Sequence, residues 1–311
     1  MKDKVLIIAG PTAVGKTKYA IEAARRFDGE IVSADSMQLY KFMDIGSAKP
    51  TKEERLLAKH HLVDEIDPRE PFSVAEYQKR AKAAIKDILS RHKLPIVCGG
   101  TGLYLNSLIY DMNFSAPPSS ESAAFRKELE DFAKREGNEA LHRKLREKDE
   151  KAAERIHPNN VKKVIRALES AALGKKIANF SDSFVLTKEF DPILVLLDRN
   201  RDELYERINL RTGILFEKGL CDEVRSLLEM GLVKENISMK GIGYKEVIDY
   251  LEGKYDLKEA KRLVRQNTRR YAKRQLTWFR RYEDMHRIDI SAYEHDEEAI
   301  EEMISWVKNR L

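Results

Sequence analysis

Cysteine is scarce in this sequence, and long apolar runs and a strong net charge are missing. Only Cys98 and Cys221 occur among 311 residues, which gives no disulfide framework and no C-x-x-C zinc motif, so a reducing, cytoplasmic setting is expected. No apolar run approaches the roughly 18 residues of a membrane span, and the first strand pattern begins too early to leave room for a signal peptide. We therefore expect no membrane association. The charge surplus is 57 − 52 = +5, so the distribution of charge says more about partners than its sum.

The most informative stretch runs from Val5 to Thr17. It begins with the apolar run VLIIA, typical of a strand buried on both faces, and continues as GPTAVGKT, which matches G-x-x-x-x-G-K-[ST] without a mismatch. In such a loop the backbone N–H groups and the lysine bind phosphate oxygens, and the final hydroxyl binds Mg²⁺. The motif predicts a polyphosphate or pyrophosphate ligand with Mg²⁺ as cofactor and Thr17 as a metal ligand. The predicted phosphate contacts are Gly10, Thr12, Ala13, Val14, Gly15, Lys16 and Thr17.

Strand and helix patterns alternate along most of the chain, which favours an α/β fold with a parallel sheet of the P-loop NTPase type. Further strands are predicted over 30–33, 95–98, 192–198 and 286–290. Helices are predicted over 19–27, 52–59, 73–92, 201–230, 258–281 and 297–311. Residues 116–120 are typical of a linker, and only helical patterns follow them until about residue 185. The prediction is an α/β core, 1–114 and 186–311, with a helical insertion domain, 115–185.

Polar residues at predicted strand ends are candidates for the chemistry, because ligands bind beyond the carboxyl ends of parallel strands. Asp35 could remove a proton or hold Mg²⁺ through water, or it could be a turn residue, and its position favours neither. Thr101 offers a hydroxyl to a substrate, unless its Gly-rich surroundings serve only tight packing. The acidic end of Val63–Glu65 follows too few apolar residues for an ATPase-like metal site. Arg207 and Arg211, one helical turn apart, could clamp phosphate or lie on a solvated face.

The segment Lys258–Arg281 carries ten basic residues and only one acid, Glu259. Arg262, Arg265, Arg269 and Lys273 recur every three or four residues and so line one face of the predicted helix. Such a face is usually just solvated, but an imbalance of this size favours a surface for nucleic-acid phosphates.

Taken together, these stretches resemble the bacterial tRNA dimethylallyltransferases, also called tRNA isopentenyltransferases. The matching segments span nearly the whole chain and are GPTAVGKT (10–17), SADSMQLYKFMDIGSAKP (33–50), GGTGLY (99–104), RIHPNN (155–160), GIGY (241–244) and AKRQLTWFR (272–280). The resemblance implies transfer of a dimethylallyl group from dimethylallyl diphosphate to N6 of adenosine 37 in the anticodon stem-loop of tRNA. A monomer is expected.

The resemblance also implies roles for individual residues. Asp35 would be the general base on N6, Thr101 and Arg211 would act near the reacting groups, and the loop would hold the diphosphate of the donor. The residues implied to contact tRNA are Asp35, Ser36, Met37, Gln38, Arg126, Lys162, Lys163, Val164, Ile165, Arg166, Lys240, Gly241, Ile242, Gly243, Tyr244, Lys245, Arg265, Arg269 and Lys273.

Three other functions fit part of the sequence. A small-molecule kinase would use the loop, Asp35 and the insertion, but it leaves the basic helix unexplained. A GTPase switch acting on RNA requires [NT]-K-x-D, and Thr187–Phe190 lacks the aspartate. An isopentenyltransferase acting on free adenine nucleotides would need neither the insertion nor the basic surface.

Overall fold

The computed structural model describes residues 2–112, 114, 120–172 and 185–311. Its six strands form one sheet in the order β3-β2-β4-β1-β5-β6, and every neighbouring pair is parallel. The strands are β1 (Lys4–Ala9), β2 (Gly29–Ala34), β3 (His60–His61), β4 (Leu94–Gly99), β5 (Asp191–Asp198) and β6 (His286–Asp289). The predicted α/β class with a parallel sheet is therefore confirmed.

Thirteen α-helices occur in the described part of the chain. They are α1 (Lys16–Arg26), α2 (Lys52–Leu57), α3 (Val74–Ser90), α4 (Gly102–Ile109), α5 (Ser120–Glu136), α6 (Asn138–Lys148), α7 (Glu150–Arg155), α8 (Val161–Ala172), α9 (Arg201–Glu217), α10 (Leu220–Glu229), α11 (Tyr244–Leu251), α12 (Leu257–Phe279) and α13 (Asp296–Lys308). Single turns of 3₁₀-helix cover Ser238–Lys240 and Ile290–Ala292.

The central strand β1 shows why apolar runs form this sheet. Successive side chains of a strand point to opposite faces, and here both faces are covered. Val5 and Ile7 pack into a core on one side, and Leu6 and Ile8 pack into a second core on the other. The carboxyl ends of β1, β2 and β4 lie side by side, with Ala9, Ala34 and Gly99 in register. The loops that follow these three strands are therefore brought to one edge of the sheet.

One local prediction was wrong, and one short strand was missed. The helical pattern over 201–230 is not one helix, because Gly219 takes a left-handed conformation (φ +96°) and separates α9 from α10. The short edge strand β3 was not predicted, since a strand of two histidines has no apolar pattern to reveal it. The neighbouring Asp64 accepts a hydrogen bond from the buried Lys49 ammonium (2.8 Å). This carboxylate thus balances a buried charge.

The chain divides into two compact units, residues 1–111 with 186–311, and residues 112–185. The second unit contains α5 to α8 around a small core that includes Leu129, Leu141, Leu145 and Leu168. The linker predicted over 116–120 lies outside the described residues, apart from Ser120 at the start of α5. Over the ranges the structure describes, no helix combines the length and apolarity required to cross a bilayer.

Candidate functional site

The phosphate loop joins β1 to α1, as its sequence predicts. Gly15 precedes the first helical residue with φ +111°, a conformation that a side chain would strain. Two arginines donate hydrogen bonds to carbonyl groups of the loop: Arg199 Nε to Val14 (3.2 Å) and Arg207 Nε to Ala13 (3.0 Å). The Lys16 ammonium donates to the Pro11 carbonyl across the loop (2.8 Å). These protein contacts help to fix the shape of the loop.

The cationic side chains of Lys16 and Arg211 lie near the Asp35 carboxylate. The pKa of Lys16 is lowered to about 8, chiefly by burial with a smaller contribution from the Arg211 charge, whereas Cys98 and Asp35 oppose the shift. Burial also lowers the pKa of Arg211, and Asp35 again opposes the shift. Neither cation forms an ion pair with any described residue. Partly desolvated cations without a carboxylate partner bind an anionic ligand strongly, because their charge is little screened by water. Of the two predicted arginines, Arg211 belongs to this site, and Arg207 supports the loop.

Asp35 follows β2, and its two carboxylate oxygens differ in their surroundings. Its Oδ1 accepts the backbone N–H groups of Met37 (2.8 Å) and Gln38 (3.3 Å), which fixes the turn after the strand. No described residue donates to Oδ2. Thr101, at the N-terminus of α4, accepts the Ser36 N–H through Oγ1 (3.1 Å) and so ties this turn to the end of β4. One carboxylate oxygen is therefore engaged in structure and the other is available for chemistry.

A cavity of about 400 Å³ opens beside these groups. Nine of the predicted site residues border it: Thr12, Asp35, Ser36, Met37, Arg211, Lys240, Gly241, Ile242 and Lys245. The wall also contains residues that the sequence did not single out, among them Tyr40, Phe72, Tyr104, Ile208, Leu215 and Tyr271. The cavity thus combines a carboxylate, several cationic side chains and apolar and aromatic surface, a combination suited to a ligand that is part anionic and part apolar.

Helix α12 presents a basic surface and also packs into the core and lines the cavity. One face of the helix is buried at helical spacing, through Ala260, Val264, Ala272, Gln275 and Phe279. The cavity is lined by three other residues of the helix, Thr268, Tyr271 and Arg274. Gln275 connects two loops of the site: its Oε1 accepts the Thr12 N–H (2.9 Å), and its Nε2 donates to the Gly100 carbonyl (2.9 Å). The sequence analysis did not single out Gln275 as a site residue. Its position in the apolar period of α12 indicates that the side chain faces inward, but not which residues it contacts.

Nine of the predicted tRNA contacts fall into three groups by exposure. Lys162, Lys163, Arg166 and Lys273 are exposed, as a surface for phosphates requires. Arg126 is paired with the Glu169 carboxylate (2.7 Å), and Arg269 lies over the Tyr205 ring, so both are partly engaged within the protein. Val164 and Ile165 are only 0% and 4% exposed because they pack in the core of the second unit, and Tyr244 is fully buried. These three side chains support the structure and do not present a surface to a nucleic acid.

The donor groups at the site fit a magnesium ion that is held mostly by a ligand. The described residues include no cluster of three or more His, Cys, Asp or Glu side chains able to hold a metal. The oxygen donors near the loop are the Thr17 hydroxyl, on the first turn of α1, and Asp35. Magnesium typically takes one or two protein oxygens and completes its shell with phosphate oxygens and water. This sparse donor set is therefore compatible with Mg²⁺ brought in with a diphosphate.

Comparison with known proteins agrees with the sequence motifs. The family model described as IPP transferase matches residues 38–282. The chain is 53% identical over 302 residues to the tRNA dimethylallyltransferase of Alkaliphilus oremlandii, covering 97% of this chain and 96% of that protein. It is 48% identical over 310 residues to the tRNA dimethylallyltransferase of Clostridioides difficile, covering 100% and 99%.

Solved structures show the same relationship. The tRNA isopentenylpyrophosphate transferase of Bacillus halodurans superimposes with a TM-score of 0.74 at 42% identity, covering 99% of this chain and 96% of that one. A eukaryotic dimethylallyltransferase acting on tRNA superimposes with a TM-score of 0.83 at 27% identity, covering 99% and 80%. The family model and the near full-length relatives confirm the resemblance inferred from the motifs: the chain belongs to the tRNA dimethylallyltransferase (IPP transferase) family.

Proposed function

We propose that this protein transfers the dimethylallyl group of dimethylallyl diphosphate to N6 of adenosine 37 in the anticodon stem-loop of tRNA, releasing diphosphate. The observation that carries the proposal is a cavity lined by Thr12 of the phosphate loop, Arg211, the Asp35 carboxylate and apolar side chains, with the Lys16 ammonium close enough to feel the charges of Asp35 and Arg211. The diphosphate fits the cationic side, and the five-carbon chain fits the apolar surface. We further propose that the enzyme acts as a monomer in the cytoplasm.

The reaction needs a stabilised leaving group. In the proposed mechanism the loop N–H groups, Lys16 and Arg211 bind the diphosphate and stabilise the negative charge that develops as its C–O bond breaks. Magnesium, held by Thr17 and the diphosphate with Asp35 nearby, would add further charge neutralisation when bound. The allylic carbon tolerates positive character, so no covalent enzyme intermediate is required.

The reaction also needs an activated nucleophile. The N6 amine is a weak nucleophile because its lone pair is delocalised into the adenine ring. In the proposed mechanism Oδ2 of Asp35 accepts the proton from N6 as the N–C bond forms, while Oδ1 keeps its two backbone hydrogen bonds and holds the carboxylate in place. The adenine must leave the stacked loop to reach Asp35, which costs a few kcal/mol that contacts to tRNA phosphates would offset.

Nucleoside mass spectrometry tests the proposal directly. Unmodified tRNA is incubated with the protein, Mg²⁺ and dimethylallyl diphosphate, and digested nucleosides are searched for N6-dimethylallyl-adenosine. Product in tRNA, but not in free AMP or ADP, supports the proposal. Product only in the free nucleotides would point to the nucleotide-modifying alternative. Calorimetric binding of ATP with no binding of dimethylallyl diphosphate would point to a kinase.

The exposed basic surface of α12 should contribute to tRNA affinity. If Arg269 and Lys273 contact phosphates, observed affinity falls with salt along a log–log slope of roughly 0.7 to 0.9 per contact, because each contact releases counterions. Arg269→Ala with Lys273→Ala is expected to weaken tRNA binding and reduce the slope by about one to two units, with donor affinity unchanged. Filter binding across a salt series measures both quantities.

A matched control removes the same charge elsewhere. Lys79 and Lys86 are exposed on α3 and form no ion pair with any described residue. Replacing both with Ala lowers the net charge by the same two units, so a general charge effect would change the slope equally in both double variants. That result would show that the basic face of α12 is only solvated and does not contact tRNA.

A further inference from the structure

The loop Asp44–Gly46 is held by a single carboxylate from α10. Glu223 Oε2 accepts the backbone N–H groups of Asp44 (2.7 Å) and Ile45 (2.6 Å), and Oε1 accepts the Gly46 N–H (2.9 Å) and the Tyr244 hydroxyl (2.8 Å). No cation among the described residues pairs with Glu223. Four donors thus converge on one carboxylate, which is the arrangement that backbone N–H groups use to bind an anion.

The Tyr244 side chain fills the space behind two glycines. A Cβ added at Gly46 would lie 2.5 Å from Tyr244 Cζ, and one added at Gly241 would lie 2.6 Å from Met37 Cε and 3.2 Å from Tyr244 Cδ2. Tyr244 is fully buried, and burial raises its pKa well above the usual value, so the phenol stays protonated and donates to Glu223. The ring therefore packs closely against both glycine-bearing segments.

These segments form one wall of the cavity. Gly46, Ser47, Gly241 and Ile242 line it, and we call these four residues the glycine wall. Gly241 is in contact with Met37, which lies two residues beyond Asp35, and Lys240 and Lys245 flank the wall with positive charge. The glycine wall therefore adjoins the carboxylate side of the cavity, where the acceptor base must sit if Asp35 receives its proton.

We infer that Glu223 is a positioning residue for the acceptor: it fixes the glycine wall against Tyr244 and so shapes the part of the cavity that receives the base of tRNA. The inference rests on the proposed function, because it assigns the acceptor to the Asp35 side. Glu223 does not line the cavity and takes no part in the chemistry. Its effect is transmitted through the backbone of Asp44–Gly46 and through the Tyr244 hydroxyl.

Steady-state kinetics of Glu223→Gln tests the inference. A glutamine side chain has one accepting oxygen, so the amide group faces two of the four donors and leaves them without an acceptor. We expect the KM for tRNA to rise about tenfold to a hundredfold, the range that follows from leaving buried donors unsatisfied. The KM for dimethylallyl diphosphate should change by less than about twofold, since no phosphate-loop residue contacts Glu223.

Two further variants separate positioning from a general loss of fold. Tyr244→Phe removes only the hydroxyl and should raise the KM for tRNA by about threefold to tenfold. Combined with Glu223→Gln it should add less than its separate effect, because both changes break the same hydrogen bond. Glu229→Gln makes the same substitution at an exposed position of α10 and should leave both KM values unchanged.

The outcomes distinguish this inference from the proposed function. A normal KM for tRNA in Glu223→Gln, or equal losses of affinity for both substrates, would overturn the positioning role while wild-type transfer to tRNA still stood. Absence of transfer by the wild-type protein would contradict the proposed function itself.

Discussion

Lys16→Met is expected to lower the rate of prenyl transfer by roughly a thousandfold and to weaken binding of dimethylallyl diphosphate, because it removes one preorganised charge from the leaving group. Methionine retains most of the aliphatic stem that the loop encloses, so the change is mainly one of charge. Single-turnover assays with labelled donor measure the rate, and calorimetry measures donor affinity. Thr17→Ala should act in the same direction through the proposed magnesium ligand.

Lys18→Met is the matched control. Lys18 lies two residues further along α1 and pairs with Glu297 on the surface (2.7 Å). An exposed ion pair is worth about 0–1 kcal/mol, so this variant should transfer the prenyl group at nearly the wild-type rate. Unchanged donor affinity and turnover in Lys16→Met would show that the loop is not the donor site.

The same lysine should make donor binding depend on pH. Burial lowers the pKa of Lys16 to about 8, so in the free protein the ammonium is present below that pH and is lost as the pH rises through it. Donor affinity should therefore be level below pH 8 and fall by up to roughly tenfold per pH unit above it, since only the protonated form attracts the diphosphate. Calorimetry of Lys16→Met across the same pH range should give a flat profile. A parallel fall in that variant would assign the dependence to another group.

The parts of the site that the sequence predicts are those encoded by neighbouring residues. The β1–loop–α1 segment follows from an apolar run and a motif of eight residues, and Asp35 follows from its position after β2. These features depend on strand burial, glycine conformation and the common edge where parallel strands end, all of which act over short stretches of chain. Helix α12 was likewise predicted nearly to its ends.

The parts that were not predicted depend on contacts between distant residues. Gln275 reaches Thr12 across 263 positions, and Glu223 reaches the loop at Asp44 across 179. Gln275 lies in the matching segment 272–280, but nothing in that segment indicates its partners, and Glu223 lies in none of the matching segments. Most of their partners are backbone groups, including the N–H groups of Thr12, Asp44, Ile45 and Gly46. Because any backbone segment offers the same donors, composition and spacing cannot identify which segment a distant glutamine or glutamate will hold.

The same limit explains the misassigned tRNA contacts. Lys162 to Arg166 form a continuous stretch in the sequence, but a helix sends Val164 and Ile165 to the opposite side from the charged residues. Within the second unit the apolar pair fills the core and the lysines remain exposed. Helical periodicity applied within that stretch would have separated the two groups.

Asp35→Asn is expected to leave both substrates bound and to slow the chemical step by about two to four orders of magnitude, the usual contribution of a positioned general base. Asparagine keeps an oxygen at the Oδ1 position, so the hydrogen bonds from Met37 (2.8 Å) and Gln38 (3.3 Å) can persist and the turn after β2 is preserved. The group at the Oδ2 position becomes an amide, which cannot accept a proton from N6. Rapid-quench single-turnover measurements with saturating tRNA and donor isolate this step from binding.

A conservative change at a structural carboxylate provides the comparison. Asp64→Asn is also an aspartate-to-asparagine substitution, but Asp64 pairs with Lys49 outside the cavity and should alter stability with little effect on the single-turnover rate. Asp35→Asn should show the reverse, with near-normal stability, near-normal affinity for tRNA and donor, and a slow chemical step. If Asp35→Asn instead reacts at close to the wild-type rate, the carboxylate serves only the turn through Oδ1, and another group must accept the proton from N6.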